Sequence, residues 1–199
     1  STAAGASAAP IYWTDWTGSD QDPGVGFIGS GTITTPTSTV SVTYTNARGI
    51  AFYQPSGGTY FYSNGTDGPA GTSPYTSAQV DNRPPTADIV ALQYAGTQSL
   101  VFSQAIANPV FAFVSLNGNG YGFDQDFDIL SFGDASDGNA CGYWGCGTSY
   151  KNIVTVNGKT EYQLLGTGEP HGTLRFTGTF DTVSWRSLSN ENWNGFTVG

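Results

Sequence analysis

The 199-residue chain has no methionine, one histidine and two cysteines, and Lys, Arg, Asp and Glu together make up 11% of it. So little charge excludes a helical protein, whose solvated faces need Glu, Lys and Arg. With His171 as the sole histidine and no Gly-x-Ser-x-Gly elbow, nucleophilic catalysis by a Ser-His-Asp arrangement has little support. His171 itself, in Gly168-Glu169-Pro170-His171-Gly172, is expected to be a turn residue. Two Cys and one His fall short of the four ligands of a structural zinc. No apolar run, Pro109 to Leu116 included, approaches the roughly 18 residues that span a bilayer, so no membrane insertion is expected. Bases are scarce too: six against 15 acids give a net charge of -9, which repels nucleic acid and anionic membrane surfaces.

What the chain does have is glycine (28 residues) and aromatic rings (5 Trp, 11 Tyr and 12 Phe), the payload of a folded core and not of a disordered segment. A chain of this length buries roughly 70% of the surface that its unfolded form exposes, enough for one sizeable domain. Period-two patterns bounded by Gly, Asn, Pro and Asp recur along it, and no long window carries a helical repeat. Val40, Val42 and Tyr44 alternate with Ser41, Thr43 and Thr45, as in a strand with one face on a core. Asn157-Gly158 marks a hairpin, since both central residues of a type I′ turn need positive φ. Other expected strands include Ile11 to Thr17, Thr59 to Tyr62, Val110 to Leu116, Phe127 to Phe132 and Thr173 to Phe180.

These patterns predict an all-β fold, a two-sheet antiparallel β-sandwich of jelly-roll-like form over residues 11–199. It is preceded by a flexible arm, Ser1 to Pro10, whose Ala6-Ser7-Ala8 is like the end of an export signal. The long irregular stretch Ser63 to Asn82 is a place where binding commonly resides.

Cys141 and Cys146, with Gly142, Gly145 and Gly147 around them, are expected to form a disulfide, which points outside the cytoplasm. Asp124, Asp126, Asp128, Asp134 and Asp137 place five of the 15 acids in one short segment, a candidate Ca²⁺ site. The i, i+2, i+4 spacing in an extended chain puts the first three on one face, where carboxylates offer hard oxygen ligands. Ile129 and Ala135 stand where an EF-hand needs Gly and Glu, and the alternative is a solvated loop. Asp15, Asp20 and Asp22 form a weaker acidic set.

Tyr143 and Trp144, at the tip of the Cys loop, are the aromatics least able to be core and the candidate carbohydrate-stacking pair, with Tyr60, Tyr62 and Tyr75 as further candidates. Glu161, Glu169 and Glu191, the chain's glutamates, keep a paired-carboxylate glycosidase open in principle. The sequon Asn64-Gly65-Thr66 is surface-like in character.

The end of the chain, Gly172-Thr173-Leu174-Arg175-Phe176-Thr177-Gly178-Thr179-Phe180 with Val183-Ser184-Trp185 and Glu191-Asn192-Trp193-Asn194-Gly195-Phe196-Thr197-Val198-Gly199, resembles the exported N-terminal domain of bacterial PEP-CTERM proteins. So do Tyr12-Trp13-Thr14-Asp15-Trp16-Thr17, Gly31-Thr32-Ile33-Thr34, Val40-Ser41-Val42-Thr43-Tyr44 and Asn108-Pro109-Val110-Phe111-Ala112-Phe113-Val114-Ser115-Leu116. The resemblance implies export, handling by the exosortase system, and a role in the extracellular matrix or exopolysaccharide of a Gram-negative bacterium. It implies no catalytic residues. The family's Val-Pro-Glu-Pro signal, apolar segment and basic tail do not follow Gly199 in this sequence, and the Cys141 to Cys146 loop is not part of the family pattern.

The leading expectation is a secreted, non-catalytic β-sandwich acting by adhesion or self-assembly, with a further copy or extracellular polysaccharide as partner. In one form of it the Ala-rich arm adds to a neighbour's sheet edge to build a filament. A Ca²⁺-dependent carbohydrate-binding module comes second, and a secreted hydrolase or lyase third.

Overall fold

The computed structural model describes residues 8–20, 26–63, 65 and 72–199. Strands β1 (Asp15–Asp20), β2 (Phe27–Thr34), β3 (Thr39–Asn46), β4 (Phe52–Gln54), β5 (Ile89–Leu92), β6 (Gly96–Ala107) and β7 (Val110–Val114) are followed by β8 (Tyr121–Phe123) and β9 (Phe127–Phe132). After a 3-10 turn at Ala135–Asp137 come β10 (Gly147–Val156), β11 (Lys159–Gly168), β12 (Gly172–Phe176), β13 (Thr179–Ser187) and β14 (Asn194–Val198). Among the described residues no helix is long and apolar enough to cross a membrane.

The strands form two antiparallel sheets, an eight-stranded one in the order β1-β2-β3-β6-β13-β8-β11-β10 and a six-stranded one in the order β4-β5-β14-β7-β12-β9. Within them the runs β5-β14-β7-β12 and β6-β13-β8-β11 are the two halves of a jelly roll. β5 pairs with β14, β6 with β13, β7 with β12 and β8 with β11, as though one long hairpin had been wrapped around a core. The expected sandwich is therefore present in its jelly-roll form. β1 to β3 extend one edge, and the pair β9 and β10, inserted between β8 and β11, extends both sheets at the other.

Alternation decides which way each strand faces. In β3, Val40, Val42 and Tyr44 are buried while Ser41 and Thr45 are exposed. The core between the sheets is dominated by rings: Phe111, Phe176 and Phe196 from the six-stranded sheet meet Tyr121, Phe123 and Trp185 from the eight-stranded one. Most of these meet edge to face, while Phe111 and Phe196 stack at 5.1 Å.

The centre of the six-stranded sheet has no solvated face. β5, β7 and β14 are buried at every residue, as their continuous apolar runs demand. Their outer face is covered by the connection between β4 and β5, from which Phe61, Tyr62 and Tyr75 pack on Ile89, Ala112 and Val114. Tyr75 donates from its hydroxyl to the Phe113 carbonyl, Tyr62 to that of Asp88, and Ser131 to that of Pro74. Tyr75 and Pro74, within the expected binding stretch, thus serve a structural cover.

Several boundaries differ from the sequence expectation. Thr59 to Tyr62 is no strand, because its rings are spent on that cover. The first strand begins at Asp15 and not at Ile11, although Thr14 already donates its amide to the Val198 carbonyl. Gly178, at φ +125°, divides Thr173 to Phe180 into β12 and β13. Of the arm, Ser1 to Ser7 lies outside the described residues, and Ala9 forms a parallel bridge to Val80 of its own chain.

Candidate functional site

Loops at one end of the jelly roll converge because alternate connections of this topology share an end. Leu116 donates its amide to the Pro170 carbonyl, Leu188 to that of Gly120, Glu191 to that of Gln93, and Ser189 to Asn119 Oδ1. These bonds tie together the β5–β6, β7–β8, β11–β12 and β13–β14 connections.

The connection between β9 and β10 reaches the same end. Cys141 and Cys146 form the expected disulfide, with Cα atoms 4.5 Å apart, the spacing of a non-hydrogen-bonded cross-strand pair. Gly142 and Gly145 exchange both backbone hydrogen bonds, which leaves Tyr143 and Trp144 as the two residues of a stapled turn.

Trp144 is 50% exposed. Its ring stacks on Phe61 at 6.5 Å and meets Tyr143 at 5.0 Å and Trp193 at 6.0 Å edge to face, so it is held in place while remaining half-exposed. Tyr143 is half-buried against Phe61 and supports the tryptophan. Of the other aromatic candidates, Tyr62 and Tyr75 are fully buried and present no contact surface, because their hydroxyls are committed to the cover. Tyr60 is half-buried beneath the Arg83 guanidinium, 5.7 Å from its ring centre.

Beside Trp144 lies a cavity of about 220 Å³, lined by Trp144, Trp193, Glu169, Glu191, Asn117, Asn192 and Ser115. Two of the chain's three glutamates face it. Ser115, held at φ +54°, donates from its hydroxyl to Glu169 Oε2 at 2.6 Å. Asn194 Nδ2 donates to Glu191 Oε2 at 2.8 Å, and the Tyr121 hydroxyl in turn donates to Asn194 Oδ1. Burial, with the charge of Glu169 adding, pushes Glu191 up to about 7. Glu161 stands apart on β11, held low by its bond from Arg186.

His171 is the peg beneath the turn. It is fully buried; Nδ1–H donates to the Glu169 carbonyl at 2.9 Å, and Nε2 accepts the Trp144 amide at 3.4 Å. One imidazole thereby fixes the backbone of a cavity glutamate and of the exposed tryptophan. Burial pushes its pKa down to about 4.

Between pH 6.5 and about 4 the unfolded chain takes up a proton that folded His171 refuses, so stability falls with pH across that window. The loss reaches roughly 3 kcal/mol at its acid end. Glu191 acts with the opposite sign: its raised pKa favours the folded state below 4.5 and loses that advantage as pH rises through about 7. A His171→Gln variant isolates the histidine. It is expected to be less stable than the wild type at pH 7 and to lose less stability between pH 7 and pH 4.5, as read by urea unfolding; equal losses in the two proteins would refute the assignment.

The acidic segment is divided and not gathered. Asp124 accepts the Ser184 amide and Asp126 pairs with Lys151 at 2.8 Å, both in the turn before β9, and Asp128 is exposed on β9 itself. Asp134 accepts the Ser136 amide to cap the 3-10 turn, and Asp137 accepts the Phe132 amide, beyond β9. The intervening six-residue strand separates the two sets by roughly 20 Å, too far for one ion to take both. Among the described residues no group of three or more His, Cys, Asp or Glu side chains is placed to hold a metal ion. Asp15 and Asp20 lie on β1, while Asp22 and the sequon positions Asn64 and Thr66 fall outside the described residues.

The residues that complete the cavity, Trp193, Asn192, Asn117 and Ser115, were not among the sequence candidates. Glu191-Asn192-Trp193, an acid, an amide and an indole between two strands, was the available signal. No protein-family model, curated protein or solved structure matches the chain.

Proposed function

We propose that the protein is a carbohydrate-binding jelly-roll domain whose ligand is held at the Trp144 cleft, and that it works outside the cytoplasm on extracellular polysaccharide. The observation that carries this reading is the fixed, half-exposed Trp144 ring beside a cavity walled by Glu169, Glu191, Asn117 and Asn192. A sugar ring offers apolar C–H faces that stack on an indole, and equatorial hydroxyls that need carboxylate and amide partners. The cavity is smaller than the roughly 300–1,000 Å³ of drug-sized sites, which suits one saccharide ring at a time.

The stapled turn adds to the affinity by prior ordering, since a ring already locked by Phe61, Tyr143 and Trp193 loses little freedom on binding. The formed disulfide supports an oxidising compartment. The PEP-CTERM resemblance supports a bacterial envelope setting. Calcium is no part of this reading.

Glycan-array binding followed by calorimetry on the best oligosaccharide tests it. Trp144→Ala removes a half-exposed ring from the rim of the cover, and is expected to weaken binding at least tenfold, about 1.4 kcal/mol, while the protein still folds cooperatively with a modestly lower melting temperature. Wild-type protein that retains no glycan, or equal binding by the variant, would overturn the proposal.

A further inference from the structure

We infer that the cleft also cleaves the glycan it binds, with Glu191 as the general acid and Glu169 as the base that activates water. The inference rests on the binding site proposed above and adds a reaction to it.

The geometry comes first. Glu169 and Glu191 reach one cavity from two different connections, so their proximity is made by the topology and not by adjacency in the chain. Each has one carboxylate oxygen anchored from behind, Glu169 Oε2 by Ser115 and Glu191 Oε2 by Asn194. Among the described residues Oε1 of each accepts no hydrogen bond. The supports are themselves held: Asn194 is buried and takes the Tyr121 hydroxyl, and Ser115 is buried at a left-handed φ that a serine seldom adopts.

The two environments also differ, as an acid and a base require. Glu191, desolvated and facing the charge of Glu169, is pushed up to about 7 and so carries a proton over part of the neutral range. Glu169 receives a hydroxyl, from Ser115, where Glu191 receives an amide, from Asn194. The titratable groups around Glu191 are Glu169 across the cavity and Tyr121 behind Asn194.

The step balances without a cofactor. Glu191 gives its proton to the glycosidic oxygen, and the bond from that oxygen to the anomeric carbon breaks with the electron pair left on oxygen. A water oxygen bonds to the anomeric carbon, and a proton of that water passes to Glu169. One water is consumed, a hemiacetal and an alcohol are released, and solvent returns the proton from Glu169 to Glu191.

The test uses the whole chain with end-labelled gluco-, manno-, galacto- and xylo-hexaoses in α and β linkage, with binding measured by calorimetry and shortening by capillary electrophoresis. Cleavage of at least one bound hexaose is expected, with a rate that falls as pH rises through the Glu191 titration. Glu191→Gln and Glu169→Gln should each slow turnover of bound hexaose, read at saturating concentration, at least 100-fold. A hexaose bound and left intact would overturn catalysis and leave the binding reading standing. Cleavage that survives both substitutions would remove the assignment to this cleft, and a protein that neither binds nor cleaves any hexaose would remove both readings.

Discussion

Replacing Phe111 with alanine is expected to destabilise the protein by about 3–5 kcal/mol, the range for deleting a fully buried aromatic side chain. The ring lies where the two sheets meet. It stacks on Phe196 within its own sheet and meets Tyr121, Phe123 and Trp185 of the opposite sheet edge to face, at 5.4 to 6.1 Å. Those neighbours belong to β8, β13 and β14, which are fixed by ladder hydrogen bonds on both sides, so they cannot collapse into the space a phenyl ring leaves. The cost therefore includes the cavity as well as the lost transfer energy. For a domain of this size it should lower the melting temperature by roughly 10 °C in calorimetry. Ile153→Ala serves as the control. That side chain is 56% exposed on the β10–β11 hairpin and should shift stability by no more than about 0.5 kcal/mol. Similar shifts in the two variants would mean that the rings between the sheets are not the main source of cohesion.

The sheets were legible in the sequence where each strand had one clear environment. Val40 to Thr45 alternates because one face meets the core, and Val110 to Val114 does not alternate because both faces are covered. The same apolar run implied a cover without saying which segment supplied it. The supplier, which includes Phe61, Tyr62 and Tyr75, looked like a strand at its start and a binding loop afterwards, because buried rings and stacking rings are the same residues in a sequence. β8 was missed for another reason. Gly118, Gly120 and Gly122 break its pattern, and three residues are too few to display a period. A side chain at Gly122 would have to displace the Glu161 carboxylate and one at Gly120 the tips of Leu165 and Leu188, while Gly118 sits at φ +65°.

The candidate site shows the limit more sharply. Asp124 to Asp137 is dense in sequence and dispersed in space, since β9 runs through the middle of it. Glu169 and Glu191 are distant in sequence and share a cavity, since the jelly roll brings the β11–β12 and β13–β14 connections to one end. Spacing along the chain cannot carry that information, whereas strand order does. The Cys loop lies between these cases. Its closure and its exposed Trp144 were readable from six residues, but the imidazole beneath it was not, because His171 is 25 residues beyond Cys146.

That imidazole makes Gly142→Ala the most informative single substitution near the cleft. A methyl group on Gly142 would lie 2.5 Å from His171 Nδ1 and closer still to Cγ and Cδ2. The backbone there does not have a positive φ, so alanine is conformationally allowed and the penalty is purely steric. The ring cannot yield at low cost, because it is fully buried and hydrogen-bonded at both nitrogens. Either the disulfide-stapled turn lifts away or the ring gives up its bonds to Glu169 and Trp144. Overpacking of this kind should cost about 3 kcal/mol and displace Trp144, which a red-shifted tryptophan emission and a loss of glycan binding would report. If the clash with the ring is the cause, removing the ring should relieve it. Combining Gly142→Ala with His171→Ala should then destabilise by clearly less than the sum of the two single substitutions, a coupling of at least about 1 kcal/mol. Strict additivity would mean that the turn and the histidine are not packed against one another, and the account of how Trp144 is positioned would fail with it.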